Sequence, residues 1–248
     1  MNLILAHKSD IKSKYEHFVP PVKLNSGWPK NYNFELVESV SHIHSVFKKH
    51  NFTPGKSVMS FDLETSDLDP ENGFIVGVGF SLDGKTGYYV AINHFDKEFN
   101  LGKEGLDAIY SYLIQAKVVI VYNLRFDFRY MEYYGYNKDV HKYSRMKAIG
   151  YDMSKVKYYD VSIACWLADT NIRMPKLEDS SRRFLGITQQ SFEEVTSGLD
   201  NFYCVDPKNA AFYCGADVIN TYLLVPATHK YYKEAKLAGE MDNRILYP

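Results

Sequence analysis

Residues 57–92 read SVMSFDLETSDLDPENGFIVGVGFSLDGKTGYYVAI and carry the clearest strand signals in the chain. Three apolar segments stand out in this stretch, and they cover residues 57–63, 74–82 and 87–92. Short segments of this kind, bounded by turn residues, are typical of β-strands. Asp83-Gly84 lies between the second and third segments and is a strong signal for a hairpin turn. The stretch therefore predicts three strands that are joined by short turns.

The regions on either side of this stretch add helices and further strands. Strand patterns occupy 33–38 and 117–122, and the second is a continuous apolar run that indicates burial on both faces. Helical patterns occupy 39–50, 101–116, 124–134, 159–169, 177–184 and 207–236, the last interrupted or bent near Pro226. This order of elements predicts a mixed α/β sheet flanked by helices, while the strand order stays open.

The chain has 248 residues, a hydrophobic fraction of 46% and a formal net charge of −1. The length suits one α/β domain, or a core domain with an N-terminal addition. Proteins that coat nucleic acid are usually basic, so the near-neutral charge argues against a long duplex footprint. It still allows an enzyme that grips a few nucleotides with the help of bound cations.

The three cysteines, Cys165, Cys204 and Cys214, are odd in number and lack C-x-x-C spacing. This pattern predicts neither a zinc site nor a disulfide framework, and it fits a reducing compartment. The N-terminal apolar run is too short for a signal peptide, and no apolar run approaches the ~18 residues of a membrane span. We therefore expect a cytoplasmic protein that is not secreted and has no membrane partner.

The first chemical motif is Asp62-Leu63-Glu64, in the first of the three strands predicted above. Because strand side chains alternate, the two carboxylates point to one face, while Phe61 and Leu63 point to the other face and into the core. Two acids on one face near a strand end suit a hard cation such as Mg²⁺. An exposed strand face with acids placed by chance would show the same pattern, so this motif alone leaves both interpretations open.

Two further motifs place an acid on a helix. Asn123 follows the apolar strand and is suited to cap the next helix, which puts Asp127 one turn inside that helix, where the positive helix end favours a carboxylate. Tyr213 and Asp217 lie four residues apart on a predicted helix and share one face. Taken singly, each motif has an explanation that fits at least as well. The first could be a capping motif with a solvated aspartate, and the second could be a core-edge tyrosine near a surface aspartate.

Together the motifs indicate one cation-binding site. Four carboxylates gathered in one place would repel one another at high cost. Two divalent ions about 3.5–4 Å apart would remove that repulsion and would stabilise an in-line displacement at phosphorus.

The segments SFDLETSDLDP (60–70), NLRFDFRYMEYYG (123–135) and FYCGADVINTYLL (212–224) resemble the three exonuclease motifs of the DEDD superfamily, in its tyrosine-containing branch. The similarity runs from about residue 33 to about residue 236 and is strongest to the proofreading domain of family A DNA polymerases. It implies an RNase H-like fold, with a mixed five-stranded sheet flanked by helices, in a domain that spans residues 31–248. The histidine-containing branch is excluded because the corresponding position is Phe212.

The resemblance also implies roles for the site residues. Asp62, Glu64 and Asp217 would bind the tighter of two Mg²⁺ or Mn²⁺ ions, and Asp62 would bridge to the second ion beside Asp127. Tyr213 would orient the attacking water with help from Glu64. The substrate would be a single-stranded DNA 3′ end, cut with release of nucleoside monophosphates in proofreading. A DNA polymerase domain or subunit would be the partner.

The resemblance assigns four further residues to nucleic-acid binding. Thr65 would contact the terminal nucleotide, and Leu68 would wedge against a base. Asn123 would contact the penultimate sugar-phosphate. Phe126 lies in the same motif, although packing beneath the site explains it at least as well. Asp160 is interpreted as a structural residue.

Three segments have no clear counterpart in the family core. Residues 1–30 are interpreted as an N-terminal arm, 137–157 as a basic loop or insertion, and 236–248 as the start of a connection to a polymerase domain. The chain shows no palm or fingers motifs of a polymerase. We therefore expect either an exonuclease fragment of a longer bacterial-type polymerase or a stand-alone version, as in some viruses.

Two other functions stay open. An RNase D-like RNA-trimming nuclease suits the third motif as well, although the SDLDP extension after the first motif favours the polymerase type. A non-catalytic module that holds DNA for a polymerase would usually lose acids from the site, whereas all four acids and the tyrosine are present here.

Overall fold

The structure, a computed structural model, describes residues 32–133, 156–170, 175–198 and 201–234. The segments interpreted as an N-terminal arm (1–30) and as a connection to a polymerase (236–248) lie outside the described residues. Of the predicted basic loop, only residues 156–157 lie within them.

The described strands form one mixed sheet of six strands. Their bounds are Asn33–Leu36 (β1), Val58–Thr65 (β2), Ile75–Ser81 (β3), Thr86–Ala91 (β4), Val118–Val121 (β5) and Tyr158–Asp160 (β6). The order across the sheet is β1-β4-β3-β2-β5-β6. The pairs β2–β3 and β3–β4 are antiparallel, whereas β1–β4, β2–β5 and β5–β6 are parallel. β2 therefore lies inside the sheet, where the antiparallel and parallel parts meet.

Helices pack on both faces of this sheet. Their bounds are Val40–Lys49 (α1), Gly102–Leu113 (α2), Leu124–Tyr133 (α3), Val161–Ala168 (α4), Leu177–Ser180 (α5), Phe192–Thr196 (α6) and Pro207–Glu234 (α7). A π-helical turn at Ser181–Leu185 follows α5, and a 3₁₀ turn at Phe202–Cys204 precedes α7. None of the helices in the described ranges is long and apolar enough to cross a membrane.

Alternation along β2 separates two buried layers. Phe61 and Leu63 lie in the larger apolar cluster, which α1 and α2 cover. Side chains on the opposite face of β2 meet α7, and the Ser60 hydroxyl donates a hydrogen bond to the backbone oxygen of Val218 at 2.7 Å. The predicted inward direction of Phe61 and Leu63 is confirmed, and Asp62 and Glu64, which alternate with them along β2, face α7.

Glycines allow α7 to lie close to the sheet. A Cβ atom on Gly87 of β4 would lie 2.3 Å from the backbone oxygen of Gly215 in α7. A Cβ atom on Gly79 of β3 would lie 2.3 Å from the sulfur of Cys214. A side chain at either position would force the helix or the thiol to move. These glycines therefore set how near α7 comes to the central strands.

A buried histidine joins the end of β4 to the segment before α7. The Nδ1 atom of His94 lies 2.8 Å from the backbone oxygen of Val205, and its Nε2 atom lies 2.7 Å from the hydroxyl of Tyr89. Because a carbonyl oxygen only accepts, Nδ1 carries the proton and Nε2 accepts from Tyr89. Burial lowers the pKa of His94 to about 4, so the ring is neutral at neutral pH.

The expected mixed sheet flanked by helices is confirmed, and the sheet has one strand more than the five expected. The additional strand, β6, falls where the sequence predicted the start of a helix over 159–169. It pairs in parallel with β5, for example Tyr159 with Ile120. A strand of three residues is too short to show an alternating pattern. α7 also continues through Pro226 rather than being interrupted there.

Candidate metal centre

β2 presents Asp62 and Glu64 beside α7. Glu64 is 7% exposed, and Asp62 is half-buried. The strand register places Asp62 opposite Gly79 and Glu64 opposite Gly77 of β3. Residues directly opposite each other share one face of a sheet, and the lack of side chains on these glycines lets Tyr89 and Cys214 come close beside the acids.

α7 brings Tyr213, Cys214 and Asp217 to the same place. Tyr213 is 8% exposed, Asp217 is 6% exposed, and Cys214 is fully buried. The sulfur of Cys214 lies 3.8 Å from Oδ2 of Asp62. Three possible ligand atoms lie within 4.8 Å of one another, one each from Asp62, Glu64 and Cys214. The helix face predicted to carry the tyrosine and the aspartate thus meets the strand face that carries the other acids.

Asp127 approaches from the first turn of α3, directly after β5. Its side chain is 1% exposed, and neither carboxylate oxygen has a hydrogen-bond partner among the described residues. The nearby backbone of Leu63 lessens the rise in the pKa of Asp127, but it makes no hydrogen bond with either carboxylate oxygen. A buried carboxylate without partners is costly unless a cation neutralises it.

Asp160 of β6 holds the start of α3. Its carboxylate accepts hydrogen bonds from the backbone N–H groups of Asn123 at 3.1 Å and Leu124 at 2.9 Å. The same carboxylate caps α4 by accepting from the backbone N–H of Ser162 at 2.9 Å. Asn123 was predicted to be the cap of α3, but it adopts a left-handed backbone with a φ of 68°, which is not the extended conformation of an N-cap. Asp160 therefore has the structural role expected of it.

The pKa values of all four acids are raised. Burial is the first cause for each of them, and it raises the pKa of Asp62 to about 7. The charge of Asp62 is the next cause for Glu64, Asp127 and Asp217, whose pKa values lie well above their usual range. The charge of Asp62 thus reaches the other three acids that the sequence singled out, and the ligand atoms found within 4.8 Å of one another in the described residues belong to Asp62, Glu64 and Cys214. Divalent cations fit this site because they would balance the negative charge of the ionised acids.

Tyr213 carries a protonated hydroxyl in this buried, acidic site. Burial is the main cause, and the charges of Asp217 and Glu64 add to it in raising the pKa of the Tyr213 hydroxyl well above its usual range. A neutral phenol can both donate and accept a hydrogen bond. Tyr213 can therefore hold a water molecule or a phosphate oxygen at neutral pH.

Gln189, which no sequence motif singled out, holds Asp217 in place. Its Nε2 atom donates a hydrogen bond to Oδ1 of Asp217 at 2.6 Å. Its own oxygen accepts a hydrogen bond from the side-chain amide of Asn220, also on α7. Both amide side chains are buried. The surrounding segment, Thr188-Gln189-Gln190, is an ordinary polar sequence, so nothing local marked Gln189 as part of the site.

The residues assigned to nucleic-acid binding differ in accessibility. Leu68 is 81% exposed on the loop after β2, and Asn123 is exposed at the exit of β5. Thr65 ends β2, and its hydroxyl donates to the backbone oxygen of Asp67 at 2.9 Å. Phe126 is partly buried against the main apolar cluster. Leu68 and Asn123 are thus accessible to a ligand, whereas Phe126 packs as a core residue.

The fold, with acids on β2, after β5 and on α7, defines a nuclease-like domain of the RNase H-like class. A family model described as the RNase H superfamily matches residues 59–201, and the chain belongs to that superfamily. DNA polymerase I from Borreliella burgdorferi is 26% identical to the chain over 180 residues, which make up 72% of the chain and 18% of that polymerase. The chain thus spans less than a fifth of the length of this curated relative.

Two solved structures from other organisms share this fold. The EXO domain of Nibbler from Aedes aegypti has a TM-score of 0.59 and 11% identity, and the match covers 91% of this chain and 100% of that one. Brucella melitensis NrnC with bound Mg²⁺ has a TM-score of 0.52 and 14% identity, and the match covers 85% and 86% of the two chains. The superfamily match, the polymerase relative and the arrangement of the acids support a DEDD-type 3′–5′ exonuclease domain, as the motifs predicted.

Proposed function

We propose that this chain is a 3′→5′ exonuclease of the tyrosine-containing DEDD branch, which uses two divalent cations to remove nucleotides from DNA 3′ ends. The observation that carries the proposal is the convergence of four carboxylates in a largely buried site. One of them, Asp127, has no hydrogen-bond partner among the described residues. Such a concentration of negative charge is costly, and a pair of divalent cations offsets it at many sites of phosphoryl transfer.

The donor atoms fit Mg²⁺ or Mn²⁺, because both ions prefer carboxylate oxygens. Asp62, Glu64 and Asp217 would hold one cation, and Asp62 and Asp127 would hold the second. When bound, the two cations would lower the pKa of a water molecule and stabilise the charge on the leaving oxygen. NrnC, which shares the fold, binds Mg²⁺.

Tyr213 and Glu64 would position the water that attacks phosphorus. The Tyr213 hydroxyl is protonated at neutral pH, as an ordinary tyrosine is, and burial and the neighbouring acids raise its pKa further. It can therefore donate a hydrogen bond to that water or to a phosphate oxygen. The water oxygen forms the new bond to phosphorus, the bond from phosphorus to the 3′ oxygen of the preceding nucleotide breaks, and a nucleoside monophosphate leaves.

One observation favours DNA as the substrate and a polymerase as the partner, and a second favours contact with the terminal base of a nucleic acid. DNA polymerase I of Borreliella burgdorferi is related to the chain over 180 residues. The loop after β2 also displays Leu68, while the hydroxyl of Tyr130 donates a hydrogen bond to the backbone oxygen of Asp67 and anchors the loop. A displayed leucine on an anchored loop suits a wedge against a terminal base. Thr65 and Asn123 would then contact the terminal and penultimate nucleotides.

The test is a timed digest of matched single-stranded DNA and RNA, each labelled at the 5′ or the 3′ end. With Mg²⁺ we expect the 3′ label to leave first as a mononucleotide and the 5′-labelled strand to shorten stepwise, faster for DNA than for RNA. Chelator should stop the reaction. Asp62→Ala and Asp217→Ala should abolish release, whereas the surface substitution Asp179→Ala should not.

Each alternative predicts a different result. Faster trimming of RNA would replace the DNA assignment by RNase D-like trimming. Binding of single-stranded DNA without release would indicate a non-catalytic module. Equal rates for the wild type and Asp62→Ala would refute the mechanism. Tyr213→Phe should slow release less than loss of an acid does, because Tyr213 orients the water and holds no cation.

A further inference from the structure

Cys214 lies at the boundary between the apolar layer under α7 and the acidic site. Its sulfur is 3.8 Å from Oδ2 of Asp62, a residue 152 positions away in the sequence. Ligand atoms of Asp62, Glu64 and Cys214 lie within 4.8 Å of one another. The cysteine spacing predicted no zinc site, because spacing rules consider only neighbours in the sequence. The thiol instead finds its possible co-ligands on β2.

The spacing suits one cation that is bound by the sulfur and the carboxylates together. Bonds of about 2.3 Å from zinc to sulfur and about 2.0 Å from zinc to oxygen, at a tetrahedral angle, place sulfur and oxygen roughly 3.5 Å apart. The observed 3.8 Å lies within a small side-chain movement of that value. Gly79 leaves the necessary space, because a Cβ atom there would lie 2.3 Å from the sulfur.

Asp127 provides an independent sign that this site takes a cation. Both of its oxygens are buried without a hydrogen-bond partner in the described part of the chain. Asp127 lies in the first turn of α3, directly after β5, and β5 pairs with β2, the strand that carries Asp62 and Glu64. A cation beside Asp62 would offset the buried charge of Asp127, which the charge of Asp62 already affects.

We propose that Cys214, Asp62 and Glu64 together bind thiophilic divalent cations such as Zn²⁺, and that such a cation replaces Mg²⁺ and halts hydrolysis. A thiolate selects softer cations, whereas Mg²⁺ takes oxygen ligands. On binding, the S–H bond breaks, a sulfur lone pair goes to the cation, and the proton passes to water, so no oxidant is needed. The binding stands by itself, whereas the inhibition rests on the proposed nuclease function.

The test is a titration of the cation-free protein with Co²⁺, which occupies zinc sites and gives an intense sulfur-to-cobalt charge-transfer band when a thiolate is a ligand. We expect this band in the wild type and in the matched control Cys204→Ser, which changes the buried cysteine of the 3₁₀ turn. We expect no band in Cys214→Ser or Cys214→Ala. Zn²⁺ affinity, measured by competition with a fluorescent chelator, should fall on the order of 100-fold in Cys214→Ser. Loss of a residue that only supports a ligand costs up to about 100-fold, and loss of the ligand itself should reach that value.

The proposal is overturned if the wild type shows no band, a result that depends on no variant being folded. A band of equal strength in Cys214→Ser, with a folded protein by circular dichroism, would also overturn it. If hydrolysis continues when Zn²⁺ saturates the site, the proposed inhibition is refuted. If the protein digests DNA with Mg²⁺ but shows no band, only the proposed thiol ligand is refuted. If it shows the band but does not digest DNA, only the proposed nuclease function is refuted.

Discussion

Replacing Asp62 by asparagine should stabilise the protein when no divalent cation is present. Asp62 lies among the acids of a largely buried site, and burial raises its pKa to about 7 from a usual value of 3.8. The folded protein therefore holds this proton more tightly than the unfolded chain does. The stabilisation from protonated Asp62 is fully present below about pH 4 and is lost as the pH rises through about 7.

The size of the effect follows from the two pKa values. At about 1.4 kcal/mol for each pH unit between them, ionisation of Asp62 in the folded state lowers the free energy of unfolding by up to roughly 4 kcal/mol. Asparagine has nearly the same shape and does not ionise, so it avoids this loss. The wild type and Asp62→Asn should differ little at about pH 4 and most at about pH 8.5.

Urea unfolding followed by circular dichroism, in the presence of chelator, gives the free energy of unfolding at each pH. Asp179→Asn is the matched control, because Asp179 forms only a surface ion pair with Arg182 at 3.2 Å, which contributes little. Mg²⁺ at about 100 times its Kd should stabilise the wild type by about 2.7 kcal/mol and the Asp62 variant less. A cation-free wild type that is as stable as Asp62→Asn at alkaline pH would refute the reasoning.

Four other substitutions probe the layer around the site. His94 should titrate near pH 4 by NMR, and its contribution of about 3 kcal/mol to the free energy of unfolding should be lost as the pH falls from about 6.5 to about 4. His94→Gln should flatten that part of the acid-unfolding curve. A measured pKa near 6.5 would contradict this prediction. Gly87→Ala should lower the free energy of unfolding by about 1–3 kcal/mol, because its Cβ would lie 2.3 Å from a backbone oxygen of α7. Gly215→Ala meets a movable ring and should cost less, so equal losses in urea would argue against the close contact. Gln189→Leu removes the 2.6 Å hydrogen bond to the acid of α7 and should weaken Mn²⁺ binding by about 10–100-fold; unchanged affinity by calorimetry would exclude that positioning role.

The sequence predicts those parts of the molecule that depend on local periodicity. A strand as long as β2 shows its alternation, so the direction of Phe61 and Leu63 into the core also determines the direction of the acids beside them. Asp127 follows an apolar strand and starts a helix, and that order places it at a strand exit near β2. The predicted fold class and the acids of the site therefore depend on patterns that are visible in short stretches of sequence.

The remaining parts depend on contacts between distant segments. β6 has three residues and owes its form to pairing with β5, so no local pattern indicated it. Gln189 acts through a side-chain hydrogen bond to a helix that begins well after it in the chain. Cys214 meets Asp62 across 152 positions, and a search for cysteine spacing does not consider carboxylates. Tertiary structure alone shows that these residues belong to the site.

Asp160 connects the edge of the sheet to the helix that carries Asp127. Its carboxylate accepts N–H groups at the start of α3 while it also caps α4, and it sits on β6, the last strand in the order of the described sheet. Local opening of β6 would therefore release the first turn of α3, and Asp127 with it, while the central strands stay paired. A bound cation opposes that opening by mass action. Hydrogen exchange at the backbone amides of β6 should thus slow when the site is filled, although no cation ligand lies in that strand.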